Sequence, residues 1–97
     1  MADRFAALRE ATSTALLDGP GDLPADVRRA IAFGTPPADL KALVQKIRSD
    51  ARSVTDEDVN VLRDRYTEDQ LFEVIVSASF GAAHERLTKA RRVLEEA

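Results

Sequence analysis

Ninety-seven residues, 44% apolar and 32% charged, describe one globular unit near the lower size limit for a self-sufficient core. A net charge of −3, mixed in sign, speaks against nucleic acid as a partner, which requires a strong basic excess. The absence of cysteine excludes disulfides, thiolate nucleophiles, CxxC redox chemistry and cysteine-held zinc.

So short a chain buries only about 60–65% of its unfolded surface, so self-association would help it. With aromatics at 5%, its core must come from Leu, Val, Ile and Ala. No apolar run reaches the ~18–20 residues of a membrane span, and MADRFAALRE is not a signal peptide. A cytoplasmic protein with no membrane partner is expected.

Every segment reads as helix. ADRFAALREATSTALL places Phe5, Leu8, Ala11 or Thr12, Ala15 and Leu16 at three-to-four spacing, an amphipathic helix stopped by DGPGD. A short second helix is expected from Pro24 to Gly34, with Val27, Ile31 and Ala30 inward. GTPP breaks the chain again, with Thr35 as a cap. The third helix, ADLKALVQKIRSDA, buries Leu40, Leu43, Val44 and Ile47. Its basic residues Lys41, Lys46 and Arg48, with Arg52, are expected to be solvated helix charges.

Thr55 opens a fourth helix, with Asp56, Glu57 and Asp58 at the positive end of its dipole and Val59 and Leu62 as its apolar stripe. Thr67 and Gln70 form a capping box that restarts the chain after RDRY. The last helix runs from Glu68 nearly to Ala97, about 45 Å at ~1.5 Å per residue.

The first half of that last helix is apolar nearly all round, through Leu71, Phe72, Val74, Ile75, Val76, Ala78, Phe80, Ala82 and Ala83. Such a helix belongs in the middle of something, and the chain is too short to surround it. A second subunit is expected there, with Phe72, Val76, Ser79, Phe80 and Ala83 as interface residues. Ala78, Ser79, Gly81, Ala82 and Ala83 would let another helix come close, which would explain a glycine that costs about 1 kcal/mol in a helix. The expected architecture is all-α: one domain over 1–97, with N-terminal helices in 1–52 and a C-terminal half, the fourth helix and the long last one, in 53–97.

Residues 54–90, VTDEDVNVLRDRYTEDQLFEVIVSASFGAAHERLTKA, resemble the closing half of the carboxymuconolactone decarboxylase and alkylhydroperoxidase D-like domain. The likeness rests on Thr55, Asp56, Glu57, Asp58, Val59 and Leu62, then Tyr66 through Glu73, then Arg86 and Leu87. LLDGPGDLPADVRRAIAFG looks like short members of that superfamily that lack the catalytic segment. The resemblance implies a five-helix orthogonal bundle and assembly into dimers, trimers or hexamers. It does not imply peroxidase chemistry, because the peroxidase branch carries Glu, Cys-x-x-Cys and His, and there is no cysteine here. Arg65 stands where the family has a corner glycine, which implies a different corner or strain.

His84, the only histidine, is the first candidate for chemistry, since histidine is the residue type that titrates near neutral pH. Glu73, Ser77 and His84 share a helix face, but Ser77 and His84 are ~10 Å apart along the axis. A nucleophile and its base need contact near ~3 Å, so no triad forms within the helix. Glu73, an acid in an apolar run, needs a partner, and Arg63, Arg65 and Arg86 are the candidates. One histidine with no HxxxH spacing supports no metal site, and no phosphate-binding loop is present, so no cofactor is expected.

Two functions follow. In the first, a non-enzymatic homo-oligomer acts by assembly, by binding a partner protein or by holding a small ligand. In the second, a decarboxylase- or lactone-type enzyme without a cofactor uses Glu73, His84 and Arg86 at a subunit interface.

Overall fold

A computed structural model of the chain describes Ala11 and residues 14–96. Most of the first expected helix, with Phe5 and Leu8, lies outside the described residues. Its end is a turn of π-helix, Thr14–Asp18, that buries Leu17 completely. Leu17 is the buried residue there, while Leu16, expected inward, is half-buried.

Helix α1 spans Ala25–Phe33, with the Pro24 carbonyl accepting the first bond, from the Arg28 amide at 3.1 Å. Ile31 is buried on it as the spacing requires, with Val27 half-buried against the core; Ala32 is buried where Ala30, half-buried, was expected inward, and so is Arg28. Its C-terminal carbonyls are closed from outside: the Arg48 guanidinium donates to Ile31 O, and to Gly34 O at 3.4 Å. Gly34 ends the helix without the left-handed conformation, since no described residue has a positive φ. Thr35 caps nothing; Pro37 precedes the next turn, and no side-chain cap is made there.

A 3-10 turn, Ala38–Leu40, leads into α2, Lys41–Asp50, and Leu40, Leu43, Val44 and Ile47 are all buried. After a second 3-10 turn, Ala51–Ser53, comes α3, Asp56–Asn60. Thr55 and Asp58 form a reciprocal capping box: the Asp58 amide donates to Thr55 Oγ1 at 3.3 Å and the Thr55 amide to Asp58 Oδ2 at 2.8 Å. Asp58 also receives Lys46 Nζ at 2.9 Å, which ties α3 to α2 and removes Lys46 from the set of purely solvated charges.

The RDRY corner needs no glycine because it is built from tight i to i+3 turns, including Leu62 N–H to Val59 O at 3.0 Å and Arg65 N–H to Leu62 O at 3.1 Å. The corner is then held by Asp39, which accepts the Tyr66 hydroxyl at 2.9 Å and pairs with Arg65 at 3.6 Å. Arg65 thus marks a different corner, without backbone strain.

Helix α4, Glu68–Glu96, is the spine, and α1 and α2 both pack on it. Its capping box forms as expected, with Thr67 N–H to Gln70 Oε1 at 2.9 Å and Gln70 N–H to Thr67 Oγ1 at 3.1 Å. Leu71, Val74 and Ala78 join Ile31, Leu43, Val44, Ile47 and Leu62 in the core. Each large aliphatic side chain buried there contributes roughly 1.5–3 kcal/mol. The small-residue patch serves this internal packing: a Cβ on Gly81 would collide with the Ala32 backbone of α1. Close approach at Gly81 is therefore made by the chain's own helix, where a second subunit was expected. Ala78 and Ala82 are buried with it, while Ser79 and Ala83 face out.

Candidate functional site

Arg28 lies on the buried stripe of α1, one turn before Ile31 and Ala32, so its charge must be met inside the molecule. Only 5% of the residue is exposed. Nη1 donates to Leu16 O at 2.9 Å and Nη2 donates to Gly19 O, pinning the end of the π-turn. Nε has no hydrogen-bond acceptor among the described residues and stands 3.9 Å from Glu73 Oε1.

Glu73 in turn holds the loop after the π-turn: Oε2 accepts the Asp22 amide at 2.7 Å and Oε1 the Leu23 amide at 3.2 Å. The acid in the apolar run is thus explained by two loop amides and Arg28, not by Arg63, Arg65 or Arg86. Gly21 is part of the arrangement, since a Cβ there would strike Glu73 Oε1 and come within 3.2 Å of the Arg28 guanidinium. Arg28 could have been found in the sequence, because in VRRAIAF it shares the i, i+3, i+4 face of Ile31 and Ala32.

Beside this centre is a pocket of about 190 Å³ between the π-turn and α4. Arg28, Glu73 and Ser77 supply its polar lining, and Leu16, Phe72 and Val76 are among its apolar walls. Two of those walls, Phe72 and Val76, were expected at an interface.

His84 is elsewhere. Its ring packs edge-on to Phe33 with centroids 5.2 Å apart and stacks against Phe80 at 6.1 Å, and Phe33 meets Phe80 at 6.1 Å. Arg86 donates to the Arg48 carbonyl at 3.2 Å. Within one protomer Glu73, His84 and Arg86 therefore have separate partners, and Glu73 and His84 are about 16 Å apart along the axis.

The outward side of α4 carries a second apolar stripe: Phe72, Val76, Ser79, Ala83, Leu87, Ala90 and Leu94. Phe72 is 66% exposed and Leu94 77%, while Ser79, Ala83, Leu87 and Ala90 are also exposed. At about 100° per residue this stripe lies opposite the buried set of Leu71, Val74, Ala78, Gly81 and Ala82. Phe80 flanks it, half-buried by Phe33 and His84.

Among the described residues no group of three His, Asp or Glu side chains could hold a metal ion, and no helix is long and apolar enough to cross a membrane. No family model, no curated protein and no solved structure matches the chain.

Proposed function

We propose that the chain works as a homo-oligomeric helical binding or assembly protein, a non-redox relative of the carboxymuconolactone decarboxylase and alkylhydroperoxidase D-like superfamily sharing its orthogonal bundle. The observation that carries this is the second apolar face of α4, with Phe72 and Leu94 exposed at either end of it. Large side chains lined up on one exposed face mark an interaction surface, whereas scattered ones do not. Sedimentation of the wild type across a concentration range, beside Phe72→Glu, tests it. Association in the wild type and its loss in the variant are expected; a wild type that stays monomeric at high concentration overturns the proposal.

A second reading, a lactone- or decarboxylase-type enzyme without a cofactor, is favoured by one observation. The pocket holds a carboxylate, Glu73, beside a buried guanidinium and opens beside Phe72 and Val76 on the same face. Turnover of small γ-lactones that disappears in Glu73→Gln would support it. Alkyl hydroperoxide with a dithiol should give no turnover, because the chain has no cysteine.

A further inference from the structure

We propose that the pocket between the π-turn and α4 binds a small uncharged molecule, a compact apolar body carrying one oxygen that accepts a hydrogen bond from Arg28. The inference deepens the second reading above: it rests on that reading's pocket and requires no turnover.

Arg28 lines the pocket with only 6% of its side chain exposed. Its Nη1 and Nη2 donate to the Leu16 and Gly19 carbonyls, whereas the buried Nε has no acceptor among the described residues. A buried donor left unmet is costly, so a ligand that supplies an acceptor there removes that cost. Glu73 does not supply it. Its Oε1 is 3.9 Å from Nε, beyond hydrogen-bond range, and each of its oxygens accepts a loop amide. Ser77, 2% exposed, adds a hydroxyl side chain to the same lining, a second group able to donate. The polar end of the pocket therefore offers donors and calls for an acceptor.

Charge then narrows the ligand. A carboxylate or phosphate at Nε would lie beside the Glu73 carboxylate, and an ammonium ion would lie beside the Arg28 guanidinium. Either sets like charges together in a partly desolvated site. A neutral oxygen, as in a ketone, ester or amide, meets Nε without that penalty. Size and walls supply the rest. The volume of about 190 Å³ is a little above the ~150 Å³ of a cavity that takes up benzene, so a ring of about six carbons fits. Water suits the same space poorly. An ordered water needs about 2–4 polar partners, and the side chains of Leu16, Phe72 and Val76 offer none.

An arginine Nε–H gives its own signal in a nitrogen–proton NMR spectrum, so the contact is read at one atom. The whole chain is titrated separately with cyclohexanone, cyclohexanecarboxylate and cyclohexylammonium, three rings of matched size. Cyclohexanone should shift the Arg28 Nε–H signal together with the amides of Leu16, Phe72 and Val76. It should also bind at least about tenfold more tightly than either ion. Arg28→Ala would unsettle the loop it holds, so the variant of choice is Val76→Phe, which fills the pocket and keeps the guanidinium. With its fold checked by the amide spectrum, Val76→Phe should lose the response to the ketone. A wild type whose Nε–H ignores the ketone, a carboxylate that binds more tightly than the ketone, or a folded Val76→Phe that binds it unchanged overturns the proposal. Ketone binding without turnover of γ-lactones supports the site and removes the enzyme reading. Lactone turnover with the Nε–H signal unmoved overturns the site and leaves the enzyme reading standing.

Discussion

Arg28 and Glu73 together hold the segment from Leu16 to Leu23, the guanidinium on the Leu16 and Gly19 carbonyls and the carboxylate on the Asp22 and Leu23 amides, and Arg28 Nε is 3.9 Å from Glu73 Oε1. Neither charge could be buried alone. Arg28→Ala should therefore cost about 3 kcal/mol, since it frees two carbonyls and leaves a half-buried acid without its cation. Glu73→Gln keeps one acceptor and should cost less, about 1–2 kcal/mol. Urea denaturation of both single variants and the double variant checks this, with a double loss smaller than the sum. Strict additivity would mean that the two side chains act independently.

Gly81→Ala sets two effects of opposite sign against each other. Alanine is better than glycine inside a helix by about 1 kcal/mol. The added methyl would meet Ala32 backbone, which cannot swing aside as a side-chain tip can, so overpacking of about 1–3 kcal/mol or more should win. A lower thermal midpoint is expected. A higher one would show that α1 and α4 can separate without loss.

Acid should weaken the α2–α3 contact. The Asp58 carboxyl is held below the usual carboxylate range, chiefly by the Lys46 hydrogen bond and then by the Thr55 amide, with burial pulling the other way. A lowered native pKa means that this stabilisation is fully present above the unfolded value of about 3.9 and is lost as pH falls through the native one. The stability gap between wild type and Asp58→Asn, measured by denaturant midpoints, should close as pH falls below the unfolded value of about 3.9. A gap independent of pH would contradict the assignment.

His84→Ala should lower stability by about 1 kcal/mol through loss of the contacts with Phe33 and Phe80. Thermal melting together with sedimentation reads both consequences. Unchanged melting and unchanged mass would mean that the ring is not structural.

The helices were legible in the sequence because their signals are local: capping boxes at Thr55 and Thr67, and three-to-four spacing through Leu40, Leu43, Val44 and Ile47. Partnerships across many residues were not. The mate of Glu73 lies 45 positions away and belongs to an arginine that spacing alone places on a buried face. The RDRY corner was misjudged because glycine is only one way to turn. Tight i to i+3 turns anchored by Asp39 on Tyr66 and Arg65 achieve the same change of direction. Small residues on α4 indicated close approach, but not which helix would approach.

The Gly81–Ala32 crossing divides α4 into unequal lengths. Up to Arg86, which donates to the Arg48 carbonyl, the helix is braced by α1 and α2; the residues from Leu87 to Glu96 project past that brace, with none of them buried. A free helical stretch below ~12–15 residues is marginal in water. The order of this arm in a lone protomer is therefore borrowed from the braced part, so its amide protons should exchange faster turn by turn toward Glu96. Whatever embraces the arm would slow that exchange from its tip inward.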